Sequence, residues 1–361
     1  MIIINSIIYI LLTVNLFYWV IVFSRFSIYK NNKNSKECNK IKDSAILISI
    51  KDEQQNIKKN FKSFLEQKPD EFDFVVVDDY SEDNSIEILY QAPFHGRIKV
   101  LVNKSKPGKK QALSYAISQI DKEYLLLTDA DCYVKSQSWA DKMINSFDEN
   151  TSIVLGYSPY TGNSLLEKFI RFETFMAALQ YFSYYLKGIP YMGVGRNMAI
   201  RRSFFIKNGG YKTHMDIKSG NDDLFVSENA NSKNTNIQID PDTFVYTAPP
   251  KTLREFIKQK TRHFSTSFRY KTIHKLMLGF YSLSHIGFYI ALISSFVFMP
   301  FYIGIIFWIL RILILYISSY NSFKKLKEQD LLLFLPVFDF LMFIYYTYMG
   351  IYYFFAPKNK W

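Results

Sequence analysis

Tyr124-Leu125-Leu126-Leu127-Thr128-Asp129-Ala130-Asp131 is the stretch that decides the fold. It opens as a short, unbroken apolar run, the pattern of a strand buried on both faces of a parallel sheet. Two carboxylates follow at once, and strand ends are where open α/β sheets bind ligands. Upstream, Val75-Val76-Val77-Asp78-Asp79 repeats the arrangement. Carboxylates bunched in this way repel one another at neutral pH unless a divalent cation or a hydrogen-bonding ligand compensates them. The spacing points to a metal-dependent nucleotide site.

Working outward, strand-like and helix-like patterns alternate. Ala45 to Ile50 reads as a strand, and Gln54 to Gln67 as a helix with Ile57, Phe61, Phe64 and Leu65 on one face. Phe72 to Val77 and Ile98 to Val102 read as further strands, with helices over Ser81 to Tyr90 and Pro107 to Ile120. Such alternation predicts an α/β domain, Rossmann-like, with a mostly parallel sheet covered by helices, and both acidic clusters at carboxyl ends of strands.

The flanks are apolar. Ile2 to Phe23 is about 22 residues long, roughly 33 Å as a helix, enough to cross a bilayer core. A cleaved leader fits poorly, because no Lys or Arg precedes the run and no small-residue cleavage site follows it. Arg25, Lys30, Lys33, Lys36, Lys40 and Lys42 come next, and the positive-inside rule keeps such a stretch in the cytoplasm. Leu276 to Tyr320, with Pro300 at its middle, reads as two spans joined by a tight turn, and Leu331 to Ala356 as a third that either crosses or re-enters. If it crosses, Lys358 and Lys360 lie outside. Asp339 falls within that segment, where an ionisable group is either functional or paired with a polar neighbour.

The net charge of +12 does not imply nucleic acid. The Lys and Arg residues gather beside the apolar segments, where anionic membrane lipid attracts them, and no nucleic-acid motif accompanies them. Cys38 and Cys132 form no disulfide framework and have no metal-binding spacing, so a reducing, cytosolic setting is expected.

Taken in order, Ser49-Ile50-Lys51-Asp52-Glu53, Asp78-Asp79-Tyr80-Ser81, Lys106-Pro107-Gly108, Asp129-Ala130-Asp131, Gly193-Val194-Gly195-Arg196-Asn197, Ser219-Gly220-Asn221-Asp222-Asp223 and Gln259-Lys260-Thr261-Arg262-His263 resemble the family 2 glycosyltransferases with a GT-A fold. The likeness runs over about residues 44 to 270. It implies that Glu53 and Asp79 hold the nucleotide base, with Lys106 adding a cation. It further implies that Asp129 reaches the ribose or the metal shell and that Asp131 ligates Mg²⁺ or Mn²⁺. Asp222 is nominated as the general base, and a shift of one residue would nominate Asp223 instead. Asn221 departs from the commoner acidic pattern. Gln259, Arg262 and His263 resemble the Gln-x-x-Arg-Trp element, with His in place of Trp. Arg262 would then meet the diphosphate, while Arg196, Asn197, Asp223 and His263 contact the acceptor. The glycines of Gly193-Val194-Gly195 lack the third member of a dinucleotide fingerprint. Gly209-Gly210-Tyr211 reads as a turn with a structural and a functional reading open.

The expected organisation is an amino-terminal anchor (1–25), a basic linker (26–43), a GT-A domain (44–250), an amphipathic interface region (251–275) and a membrane region (276–361) with two or three spans. The expected activity is inverting transfer of a sugar from a nucleoside diphosphate sugar, a UDP-sugar, to a lipid-linked or glycan acceptor in cell-envelope synthesis. The expected location is a bacterial cytoplasmic membrane, with the catalytic domain on the cytoplasmic side. A processive polysaccharide synthase and a catalytically silent scaffold remain as alternatives.

Overall fold

The computed structural model describes residues 2–30, 40–91, 93–298 and 300–355. Lys33, Lys36, Cys38, Lys358 and Lys360, on which part of the charge and cysteine reading rests, lie outside them. The chain divides into two compact units, one of 31–163 with 190–250 and one of 1–30, 164–189 and 251–360.

The first unit holds the sheet. Its strands are β1 (Ser44–Ile50), β2 (Asp73–Asp78), β3 (Lys99–Val102), β4 (Tyr124–Asp129), β5 (Cys132–Val134), β6 (Ile153–Leu155), β7 (Met198–Arg201), β8 (Thr235–Ile237) and β9 (Val245–Thr247). Seven of them form one sheet in the order β3-β2-β1-β4-β7-β6-β8, while β5 and β9 make a separate ribbon. β1 pairs in parallel with both β2 and β4, and β7 runs antiparallel to its two neighbours. Ile46, Ile48 and Val76 lie on a face covered by Ile57, Phe61 and Phe64 from the helix Gln54–Leu65. Each fully buried branched or aromatic side chain of this kind contributes on the order of 1.5–3 kcal/mol by leaving water. In register, Ser49 lies beside Asp129 and Ile50 beside Asp78. Both acidic clusters thus emerge at one edge of the sheet, as the apolar runs predict.

The second unit is helical. Among the described residues four segments are long and apolar enough to cross a membrane: Ile10–Ile28, Thr272–Val297, Phe301–Lys325 and Gln329–Tyr352. Pro300 caps the third, as its fixed φ and missing N–H favour at a helix start. The fourth is a continuous α-helix from Leu335 to Phe355 after a short 3₁₀ turn. Lys325 Nζ donates to the carbonyls of Phe26, Ser27 and Tyr29 at 2.6, 2.7 and 2.5 Å, so the first and third segments end on the same side.

A helix unmarked in the sequence reading, Leu165–Leu186, belongs to this unit. Ser164 and Glu167 start it as a capping box, each side chain accepting the other's backbone N–H. It lies across that same side: Phe182 stacks on Phe26, Phe175 stacks on Phe323, and Arg171 pairs with Glu328 and Asp330. Its apolar residues surround the helix, so no amphipathic stripe betrays it.

Asp339 is paired. Arg311 donates to both its carboxylate oxygens, and also to Asn15 Oδ1 at 3.1 Å and His285 Nδ1 at 3.2 Å. Since Arg only donates, His285 accepts at Nδ1 and gives its Nε2–H to the Asp339 carbonyl at 3.1 Å. The network draws on all four apolar segments, and the structure supports the paired reading of Asp339.

Candidate active site

The strand ends build the site from one side of the sheet unit to the other. Asp78 ends β2 and Asp79 follows it, and both are buried. Asp78 accepts the Ser81 N–H, the turn-forming role that Asp commonly takes. Asp79 accepts from Asn103 Nδ2 and from the Gly108 N–H, all at 2.9 Å. Its carboxylate therefore organises the loop between β3 and the next helix, with most of its lone pairs used inside the protein. Gly108 has φ +141°, a conformation that L side chains rarely adopt, and it opens the helix Lys109–Ser118.

That helix supplies the cation the sequence reading missed. Lys106 is exposed, whereas Lys109 Nζ lies 2.5 Å from Asp129 Oδ1. Partial burial opposes the charge on Lys109, but Asp129, Asp222 and Asp131 together hold its pKa above the ordinary lysine value. One ammonium thus registers all three carboxylates nominated for chemistry. Its position as the first helical residue after a glycine, where a helix start faces the strand ends, was the available signal.

Asp131 is exposed at the start of β5, with Oδ2 accepting from Thr247 Oγ at 3.2 Å and Oδ1 from the Cys132 thiol at 3.3 Å. Cys132 is buried, and burial followed by the two neighbouring aspartates drives its thiol pKa well up, leaving it inert. Glu53 is raised by burial, partly offset by the hydrogen bond from Asn56 at 2.6 Å, and raised again by Asp131 and Asp129. It therefore lies within the field of the acidic pair.

Two carboxylates on one turn with a third in their field leave an open donor set. Among the described residues no closed shell of three or more His, Cys, Asp or Glu side chains forms. Openness of this sort fits a Mg²⁺-like ion, which takes one or two carboxylates and fills its octahedron with water and phosphate oxygens.

Asp222 precedes the helix Asp223–Asn229, and its Oδ2 accepts the Gly195 N–H at 2.5 Å. A Cβ on Gly195 would meet the Asp222 side chain at 3.0–3.2 Å, so glycine permits this approach. Asp223 is buried and is the leading acidic influence on Lys110, instead of joining the group around Lys109. Asp222 takes the Gly195 N–H, whereas Asp223 accepts the Leu224 N–H at 2.9 Å. Asn197 departs from its expected acceptor role. It is fully buried, accepting from Trp139 Nε1 at 3.0 Å and donating to the carbonyls of Tyr157 and Thr243 at 2.7 Å, so its polar atoms serve the core. The Arg196 guanidinium packs on the Tyr160 ring at 4.5 Å, within the field of Asp131 and Asp129. Gln259, Arg262 and His263 lie on the amphipathic helix Leu253–Thr266 of the helical unit. Arg262 and His263 are exposed there, and neighbouring Lys260 is buried against Glu173.

A family model described as Glycosyl transferase family 2 matches residues 45–209, and one described as Glycosyl transferase family group 2 matches residues 136–356. The Poly-beta-1,6-N-acetyl-D-glucosamine synthase of Staphylococcus aureus (strain COL) is 24% identical over 257 residues, which is 68% of this chain and 61% of that protein. The synthase of that name in Staphylococcus epidermidis is 26% identical over 109 residues, 30% of this chain and 26% of that protein. The chain therefore spans less than two thirds of the length of these curated relatives. The mannosyltransferase PcManGT from Pyrobaculum calidifontis, solved with GDP-Man and Mn2+, has the same fold, with a TM-score of 0.61 at 15% identity over 95% of this chain and 99% of that one. The second family match takes in more than half of the chain, and this protein, with its GT-A sheet unit and four apolar helices, belongs to the family 2 glycosyltransferases.

Proposed function

We propose that the chain is an inverting transferase that moves a sugar from a UDP-sugar to a membrane-associated acceptor in cell-envelope synthesis. The observation that carries this reading is the ion pair of Lys109 with Asp129 at 2.5 Å, with Asp222 and Asp131 in the field of the same ammonium.

Asp129 and Asp131 would hold Mg²⁺ or Mn²⁺, which supplies Lewis-acid stabilisation of the leaving diphosphate. Asp222 takes the proton from the acceptor hydroxyl, and the freed oxygen attacks the anomeric carbon from the side opposite the departing group. The carbon–oxygen bond to the diphosphate breaks in the same displacement, so configuration inverts and no glycosyl-enzyme forms. Lys109 and Arg196 offset the charge gathering on the leaving nucleotide. Glu53 accepts from the base or ribose, while Asp79 positions the loop beneath it.

Arg25, Lys325 and Lys275 stand near the ends of the apolar segments that share one side, which supports a cytoplasmic placement of that side. The names of the curated relatives favour one further reading, in which additions are repeated on a growing polysaccharide.

The test uses the full chain in nanodiscs with a panel of nucleoside diphosphates and nucleotide sugars, with and without Mn²⁺ or Mg²⁺. Metal-dependent stabilisation by UDP, and transfer abolished by Asp131→Ala and Asp222→Asn, is the expected result. Unchanged turnover in Asp222→Asn would remove the assignment of the base. Product length separates single from repeated addition.

A further inference from the structure

Three successive residues where the helix Lys109–Ser118 starts reach three different parts of the sheet unit. The Gly108 N–H goes to Asp79, and the Lys109 ammonium to Asp129. Lys110 serves a stretch that belongs to neither acidic cluster. Its side chain is buried, and its Nζ donates to the carbonyls of His214 at 2.5 Å and Ile217 at 2.9 Å.

That stretch is the loop 212–221, which leads directly into Asp222. It follows the Gly209-Gly210 turn, where both glycines take positive φ, 76° and 58°, and it contains one 3₁₀ turn, Lys212–His214. A loop of this kind keeps its shape through the groups that grip its carbonyls and side chains. Lys110 grips it from the helix start. At another point Thr213 Oγ donates to Glu228 Oε2 at 2.6 Å, on the helix Asp223–Asn229 that follows the loop. That hydroxyl has one hydrogen, so the buried His214 donates to it from Nδ1, at 2.8 Å. Asp222 stands where loop meets helix. Its carbonyl accepts the Val226 N–H at 3.0 Å, and its carboxylate the Gly195 N–H.

A buried lysine is a destabilising choice for a loop staple. Burial lowers its pKa to about 8, so at neutral pH the fold carries a charge it disfavours. What the ammonium offers in return is three donors on one atom, enough to hold two carbonyls at once.

We propose that Lys110 is a positioning residue for the transfer: by fixing the His214 and Ile217 carbonyls to the helix start that also carries Lys109, it sets the place of Asp222 relative to the Lys109–Asp129 pair. Lys110 acts through Asp222 and takes no part in holding the nucleotide. This rests on the reading of Asp222 as the base.

The test compares the full chain in nanodiscs of native membrane lipid as wild type, Lys110→Met, Thr213→Val and Asp222→Asn. Three quantities are measured: thermal stabilisation by UDP with Mn²⁺, backbone hydrogen exchange, and turnover of UDP-glucose, UDP-N-acetylglucosamine and GDP-mannose. Turnover is counted per UDP-binding site, so an unfolded fraction does not enter kcat. In Lys110→Met, kcat should fall roughly 10- to 100-fold, the range for a misplaced reacting group, with donor KM and UDP stabilisation unmoved. Amides of 212–222 should exchange faster, while those of β1, β2 and β4 stay as in wild type. Thr213→Val, which cuts the other tie and leaves Lys110 in place, should show the same separation of kcat from nucleotide binding. Wild-type kcat in Lys110→Met, with Asp222→Asn inactive, would overturn the positioning role and leave the base assignment standing. Equal losses of kcat and UDP binding, or faster exchange throughout the sheet, would make Lys110 a general stabiliser and overturn the proposal too. Full turnover in Asp222→Asn would remove the base reading, and this inference with it.

Discussion

Lys109 Nζ lies 2.5 Å from Asp129 Oδ1, tying a helix start to a strand end across the mouth of the site. A lysine is a compact point charge, so it can share a carboxylate with a metal-bound diphosphate or compete with the metal for it. Both consequences are separable. In Lys109→Met, turnover should fall about 10²-fold, the scale for removing one preorganised stabilising group. Binding of Mn²⁺ to the nucleotide-free protein, followed by calorimetry, should tighten because the competing ammonium is gone. Weaker Mn²⁺ binding in the variant would contradict this account.

The contact between Gly195 and Asp222 makes a second prediction. Gly195→Ala places a methyl 3.0–3.2 Å from the Asp222 carboxyl group and must push it aside. Transfer should drop by about 10²-fold or more, within the range for a misplaced general base. Stabilisation by UDP with Mn²⁺ should match wild type, since Glu53, Asp129 and Asp131 do not touch the added methyl. Loss of UDP binding in this variant would show that the residue acts on the whole site.

Lys110 predicts a pH dependence. It is buried, and burial lowers its pKa to about 8, only partly countered by Asp223, Asp216, Asp222 and Glu228. An unfolded lysine titrates near about 10.4. Between these values the unfolded chain binds more protons than the folded one, so this group makes stability rise with pH across that window. Below about pH 8 the cost of the buried charge is fully present. Thermal scans from pH 7 to 10.5 should show this rising contribution in the wild type relative to Lys110→Met. Parallel pH profiles for the two proteins would refute it.

In the helical unit, Arg311 and Asp339 make a paired prediction. Removing one partner from a buried ion pair leaves an uncompensated charge, at about 3–5 kcal/mol. Arg311→Met or Asp339→Leu alone should destabilise the detergent-solubilised protein by that order, and the double variant should recover much of it. Additive losses in a double-mutant cycle would exclude a coupled pair.

Much of the catalytic unit was legible from residue order alone. Runs such as Val75 to Val77 and Leu125 to Leu127 are local signals, because a strand buried on both faces must be apolar throughout. The carboxylates after them reach the sheet edge simply by following the strand. The segment 165–186 escaped notice for the opposite reason: a helix buried on all sides carries no periodic stripe.

Side-chain allegiance is what only the tertiary structure decided. Lys106 and Lys109 are equally basic on paper, yet only the latter is turned by a helix start toward Asp129. Asp222 and Asp223 are adjacent, but successive residues entering a helix point about 100° apart, so one meets the Gly195 N–H and the other accepts the Leu224 N–H. Asn197 sits in a motif that resembles an acceptor contact, while its amide joins Trp139 to two carbonyls brought in from far along the chain. Composition and order set which chemistry is available. Distances between residues remote in sequence set which groups can perform it, because hydrogen bonds and charge pairs act over a few ångströms of space.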